Sequence, residues 1–263
     1  MRKTFGALLA LPLVLAGCGG ASSASSSASS SGSSAADDVT GSLTVFAAAS
    51  LTDVFGELGK ELHEEHPGLT VRFNFAGSQA LAAQITQGAP ADVFASANEA
   101  QMDVVTTAGL QQGSPSVFAA NVLEIAVPKG NPGKVTGLAD FAKPDLTLAV
   151  CAPDVPCGAA AAQVFAAAGI TARPDSQEED VKAALTKVQL GEVDAALVYA
   201  TDVEAAGSKV QGIEFPESAK AVNTYPITTL KAAPNPAAAA AFVDLVRSST
   251  GQRALVAAGF RTP

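Results

Sequence analysis

Leu43-Thr44-Val45-Phe46-Ala47-Ala48-Ala49-Ser50-Leu51-Thr52-Asp53-Val54-Phe55 decides the fold. Its first four residues form a short apolar strand. Leu51, Val54, Phe55, Leu58 and Leu62 then recur at helical spacing until Pro67 ends the helix. A strand that runs through small residues into a helix is the unit of a largely parallel sheet with covering helices. The junction also carries chemistry. Ser50 stands where the helix N-cap is expected, and Asp53 lies three residues on, close to a capping box. A helix N-terminus presents unpaired N–H groups and the positive end of the peptide dipoles, so the junction reads equally as a plain cap or as an anion site.

Downstream, Thr70 to Phe75 alternates as a strand, with Val71, Phe73 and Phe75 on one face. A helix follows over Ala80 to Thr86, a strand over Asp92 to Ser96, and a helix over Asn98 to Ala108, closed by Gly109. Another strand is expected over Asn121 to Pro128, after which Pro128, Gly130, Pro132 and Gly133 mark a change. The second unit reads as strand Leu146 to Cys151, helices Ala159 to Ala168 and Glu179 to Leu190, strand Ala195 to Tyr199 and helix Thr201 to Ala206. Tyr225 to Lys231 is extended, and helices Pro236 to Ser248 and Gly251 to Ala258 close the chain. The fold class is therefore α/β. The strand–turn–helix theme returns at Ala76-Gly77-Ser78-Gln79 and, altered, at Pro153-Asp154-Val155-Pro156-Cys157-Gly158. All three junctions lie at C-terminal strand ends, where open α/β sheets place their ligands.

The ends and the composition narrow the partners. Arg2 and Lys3 precede an apolar run from Phe5 to Leu15, too short to stay as a membrane span. Leu15-Ala16-Gly17-Cys18 follows and resembles a bacterial lipobox, so residues 1–17 read as an export signal and Cys18 as a lipidated N-terminus. The Gly, Ala and Ser of 19–39 cannot bury enough apolar surface to fold. Residues 18–41 are expected to tether the folded part outside the cytoplasm to the membrane through the lipid alone, with a reach of ~25 Å r.m.s.. A formal net charge of −9 argues against nucleic acid, which needs a basic footprint. It leaves room for a small anion held by local dipoles.

An enzyme fits poorly. A serine nucleophile needs a base, and the only histidines are His63 and His66, on a charged helix end. Their spacing is i, i+3 rather than the i, i+4 of a zinc-binding H-E-x-x-H, so they read as solvated surface. G-x-S-x-G and phosphate-loop motifs are absent.

Ala47-Ala48-Ala49-Ser50-Leu51-Thr52, Phe75-Ala76-Gly77-Ser78, Ala91-Asp92-Val93-Phe94-Ala95-Ser96-Ala97, Val155-Pro156-Cys157-Gly158 and Val198-Tyr199 occur in that order. The set resembles the signature of periplasmic molybdate-binding proteins of the ABC-importer class, from about residue 42 to 263. The resemblance implies a two-lobed fold with a two-strand hinge; the strands near Asn121 and Tyr225 read as the two crossings, so lobe one is 42–122 plus 228–263 and lobe two 123–227. It implies that molybdate, and tungstate after it, binds between the lobes for delivery to the importer's permease subunits. No cofactor and no catalysis are expected, and the chain should act as a monomer.

Carried over by motif, Ser50 and Ser78 would each supply a hydroxyl and a backbone N–H, Cys157 and Val181 a backbone N–H, and Tyr199 its phenolic O–H. Cys157 stands where family members often have alanine, a change that keeps the N–H. By spacing alone Val181 fits the apolar face continued by Ala184, Leu185 and Val188, and Tyr199 asks only for some acceptor. Donors without acceptors suit a fully deprotonated dianion. Hydrogen phosphate would set its proton against a donor, at a cost of ~1–3 kcal/mol. Sulfate, or another small oxyanion, is the alternative ligand. With Cys18 taken by lipid, Cys151 and Cys157 remain for an oxidising compartment. Two prolines limit the turn between them, and a Cys151–Cys157 disulfide is expected there.

Overall fold

The computed structural model describes residues 39–263, so the leader, Cys18 and nearly all of the tether lie outside the described residues. The first element, β1 (Gly41–Ala48), passes through a 3-10 turn at Ala49–Leu51 into α1 (Thr52–Glu65). Then come β2 (Leu69–Ala76), α2 (Ser78–Thr86), β3 (Val93–Ala95), α3 (Glu99–Thr107) and β4 (Gln111–Asn121). The middle of the chain holds β5 (Leu123–Pro128), β6 (Leu148–Cys151), α4 (Pro156–Ala168), β7 (Ser176–Glu178), α5 (Val181–Leu190), β8 (Ala195–Tyr199), α6 (Ala200–Ala206) and β9 (Val210–Ile213). It closes with β10 (Asn223–Leu230), α7 (Pro236–Arg247) and α8 (Ser249–Ala257).

The strands make two five-stranded sheets, in the orders β2-β1-β3-β10-β4 and β7-β6-β8-β5-β9. The α/β class holds, but each sheet is mixed. In the first, β1 runs parallel to β2 and β3, while β10 runs antiparallel to β3 and β4. In the second, β6 runs parallel to β7 and β8, and β5 antiparallel to β8 and β9. The antiparallel strands are those adjoining the passages between sheets.

Each sheet buries its own apolar cluster. In the first lobe, Leu43, Val45, Leu58 and Leu62 pack with Phe242 on one face, where Phe55 meets Phe118 and Phe242 at ring-centroid distances of 5.7 and 5.2 Å. Leu81, Ile85, Phe94, Met102 and Val105 form a separate cluster. In the second lobe, Ile125, Leu148, Val164, Leu185 and Leu197 are buried together, with Phe141 against Phe165 at 5.6 Å. Burial of side chains of this size, at about 1.5–3 kcal/mol each, stabilises the two lobes separately.

The chain passes between sheets twice, at Val122, between β4 and β5, and within 214–222, between β9 and β10. The second passage lies ahead of the 227/228 boundary expected from sequence, because all of β10 pairs within the first sheet. Three strands had no signal in the sequence reading. β4 contains Gly113 and Pro115 and is an edge strand with no clear alternation. β7 and β9 have three and four residues. The expected single strand over Asn121 to Pro128 is instead the end of β4 and all of β5, in different sheets.

Candidate functional site

One small cavity, with free space of only about 10 Å³, is lined by Ser50, Ser78, Cys157, Val181 and Tyr199, together with small residues such as Ala49 and Gly77. Pockets for drug-sized ligands run to ~300–1,000 Å³, so this one excludes them and leaves room for only a small group. All five residues singled out by motif meet there, two from the first lobe and three from the second.

Their backbones explain the convergence. Ser78 is the first residue of α2, Cys157 the second of α4 and Val181 the first of α5. At these positions an N–H has no carbonyl one turn back to bond. Three helix N-termini, each the positive end of a dipole, therefore face one small space. No Lys or Arg lines it. Asp180 does, but its carboxylate serves as the α5 cap, accepting from the Ala183 N–H at 2.9 Å.

Ser50 is placed differently from the expected cap. It sits in the 3-10 turn, the N-cap of α1 is Leu51, and no side chain caps that helix. The extra tight turn moves Ser50 off the capping position and leaves its hydroxyl buried, 3.0 Å from the Tyr225 hydroxyl. Asp53, the expected partner of a capping box, instead pairs with Lys182 at 2.9 Å. Ser78 is also buried, and its Oγ accepts from the Ala97 N–H at 3.0 Å. That N–H has only one role, so the Ser78 hydrogen is left for the cavity.

Tyr199 ends β8 and is 1% exposed, yet its hydroxyl has no hydrogen-bond partner among the described residues. Tyr225 and Asn223 lie beside it without reaching bonding geometry. An orphaned buried hydroxyl is costly and rare, and this one borders the cavity. Burial, with Tyr225 and Asp202 nearby, pushes the phenol well above its ordinary range, so it stays a donor. Behind it, Asp202 accepts from the Tyr199 N–H at 3.2 Å and stands 3.4 Å from Lys182 Nζ. Burial lifts the Asp202 carboxyl to about 6, against the pull of Lys182. The Lys182 ammonium is itself drawn down by burial, but Asp202 and Asp53 outweigh this and raise it.

Cys151 and Cys157 are joined, with Cα atoms 5.7 Å apart. The bridge ties the end of β6 to the first turn of α4. That helix begins at Pro156, so Cys157 lies inside it and not in the run-in expected from sequence. The turn is wrapped tightly enough that a Cβ at Gly158 would overlap the Ala152 carbonyl oxygen.

The lobes touch around the cavity. Gln79 Nε2 donates to the Glu179 carbonyl at 2.8 Å, Gln101 Nε2 to the Asp154 carbonyl at 3.0 Å, and Lys182 reaches Asp53. A larger groove of about 270 Å³ borders α1, α6 and α8, but Asp53, Glu57 and Glu204 line it and disfavour an anion. His63 bonds the Leu69 carbonyl at 2.6 Å, and no acid–histidine–cysteine cluster able to hold a metal occurs among the described residues.

Sequence reasoning missed Tyr225, Lys182 and Asp202. Tyr225 lies on a strand read only as a crossing, and the ion pairs depend on how the two lobes meet.

Known proteins share this architecture. The molybdate-binding protein ModA of Mycobacterium tuberculosis is 46% identical over 222 residues, 84% of this chain and 85% of that one. ModA of Escherichia coli is 32% identical over 222 residues, 79% of this chain and 84% of its own. The periplasmic molybdate-binding protein of Azotobacter vinelandii superposes with a TM-score of 0.73 at 22% identity, covering 84% of this chain and 99% of that one, a likeness of fold. A family model described as bacterial extracellular solute-binding protein matches residues 43–261. The chain belongs to that family of bacterial extracellular solute-binding proteins.

Proposed function

We propose that this protein captures molybdate, with tungstate as a second ligand of the same shape and charge, and hands it to the permease of an ABC importer. One observation carries the reading. The two serines, the two first-turn amides and the orphaned tyrosine hydroxyl share a single small cavity without a cationic side chain. Such a site offers neutral donors only. A dianion with four bare oxygens satisfies them all, whereas a protonated one leaves a donor facing a donor, at ~1–3 kcal/mol. The ModA relatives favour molybdate over sulfate, whose donor chemistry is the same.

Binding would draw donors of both lobes onto one ion, with the passages at Val122 and 214–222 as the hinge. We place the protein outside the cytoplasm, held to the membrane by a lipid on Cys18. No helix among the described residues is long and apolar enough to cross a membrane. Calorimetry with molybdate, tungstate and sulfate tests the assignment. Tight binding of the first two and weak binding of sulfate is expected, and sulfate binding as tight as molybdate refutes it.

A further inference from the structure

The Ser50 hydroxyl can send its hydrogen to the phenolic oxygen of Tyr225, 3.0 Å away, or into the cavity that Ser50 lines. In the first case its lone pairs face the cavity, where they repel an oxyanion. In the second, Tyr225 is the donor and Ser50 Oγ the acceptor. The Tyr225 ring is held for this role. It is fully buried, and it stands tilted or edge-on to Phe260, Tyr199 and Phe118 at 5.4, 6.1 and 6.3 Å. Rings fixed on several sides leave the hydroxyl little choice of position. Ser78 shows the same arrangement with an irreversible donor, since the Ala97 N–H occupies its oxygen at 3.0 Å and cannot turn round.

We propose that Tyr225 is a specificity-determining positioning residue. Its O–H donates to Ser50 Oγ, keeps the Ser50 hydrogen pointed at the cavity, and so closes the site to oxyanions that still carry a proton. This role rests on the oxyanion reading given above. It assigns the two serines a common logic: each has its acceptor side filled by a fixed group, so each meets the ligand as a donor. Remove the Tyr225 hydroxyl and Ser50 is free to rotate. Its oxygen then offers hydrogen phosphate the acceptor that the intact site withholds.

The test is a double-mutant cycle on the full-length protein, using Tyr225→Phe, Ser50→Ala and the pair, with molybdate and inorganic phosphate titrated separately at pH 8. Phenylalanine keeps the ring, and a thermal melt of each ligand-free variant monitors the fold. Tyr225→Phe should weaken molybdate about five- to tenfold where Ser50 is present and less than about twofold in the Ser50→Ala background. The ratio of molybdate to phosphate affinity should narrow by about fivefold or more in the single variant only. Equal loss in both backgrounds, or an unchanged ratio, overturns the role while leaving the ligand assignment standing. A wild-type protein that binds no molybdate removes the ligand assignment, and this role with it.

Discussion

Gly77 is the most economical place to separate folding from capture. It is the N-cap of α2, with φ −59° and ψ 136°, a conformation open to alanine. Within the first lobe, the nearest atoms that an added Cβ would crowd belong to the flexible Gln79 side chain. Across the cleft it would overlap the Glu179 carbonyl oxygen, which is backbone and cannot swing away. The lobes of Gly77→Ala must part there by roughly 1 Å to restore contact distance. That stretches the Gln79 to Glu179 hydrogen bond, now 2.8 Å, beyond useful length. It also draws back Val181, two residues on, whose N–H is one of the donors in the proposed site. Losing one neutral bond and weakening one bond to a charged ligand costs about 2–3 kcal/mol, roughly 30- to 150-fold in Kd. The ligand-free protein should lose only about 1 kcal/mol, the cost of replacing glycine by the poorer N-cap alanine. Calorimetry and ligand-free melting measure the two quantities. A Gly77→Ala protein that binds molybdate within threefold of wild type refutes the argument that these lobes close to contact around the ion.

Other perturbations probe separate parts of the site. Ser78→Ala keeps the N–H and removes a hydroxyl, so molybdate affinity should fall about ten- to hundredfold in calorimetry. Asp202 has its carboxyl raised by burial from 3.8 to about 6, so between those values the native state holds a proton that the unfolded chain has lost. Its contribution to stability therefore declines as pH rises through that window and is level above it. In urea unfolding, Asp202→Asn should gain about 2–3 kcal/mol relative to wild type between pH 4 and pH 7, and a constant difference would contradict this. Alkylation before reduction should label neither Cys151 nor Cys157. The double serine variant should lose about 2 kcal/mol of stability or less, the loop being short, and should bind molybdate more weakly, as its Cys157 amide is no longer held in place.

Much of this was legible in the sequence, and the failures have physical causes. The strand–turn–helix junctions at Ser50, Ser78 and Cys157 stand out because hydrophobic spacing changes from two to between three and four around small residues. Those junctions, with Val181 and Tyr199, do line one cavity. β4 was illegible because an edge strand need not alternate, and its Gly113 and Pro115 resemble a loop. The Ser50 cap was misread because Ser-x-x-Asp is satisfied locally in sequence, while the tight turn at Ala49–Leu51 answers to the Tyr225 hydroxyl 175 positions away. Lys182 belongs to no motif in the sequence. Its pairing with Asp53 follows from the approach of two lobes, which no local pattern encodes.

The choice of donors at the cavity has a consequence for the habitat in which the protein works. Amides and serine hydroxyls do not ionise in water near neutrality, and burial keeps the Tyr199 phenol protonated. Outside the cytoplasm no cell buffers the medium, and a site built on histidine would change charge as the surroundings acidified. Here the groups that would hold the ion keep one charge state across ordinary growth conditions. Variation in capture with external pH should then trace to the protonation of the ion in the medium, or to Asp202 behind Tyr199, and not to the groups that grip the cargo.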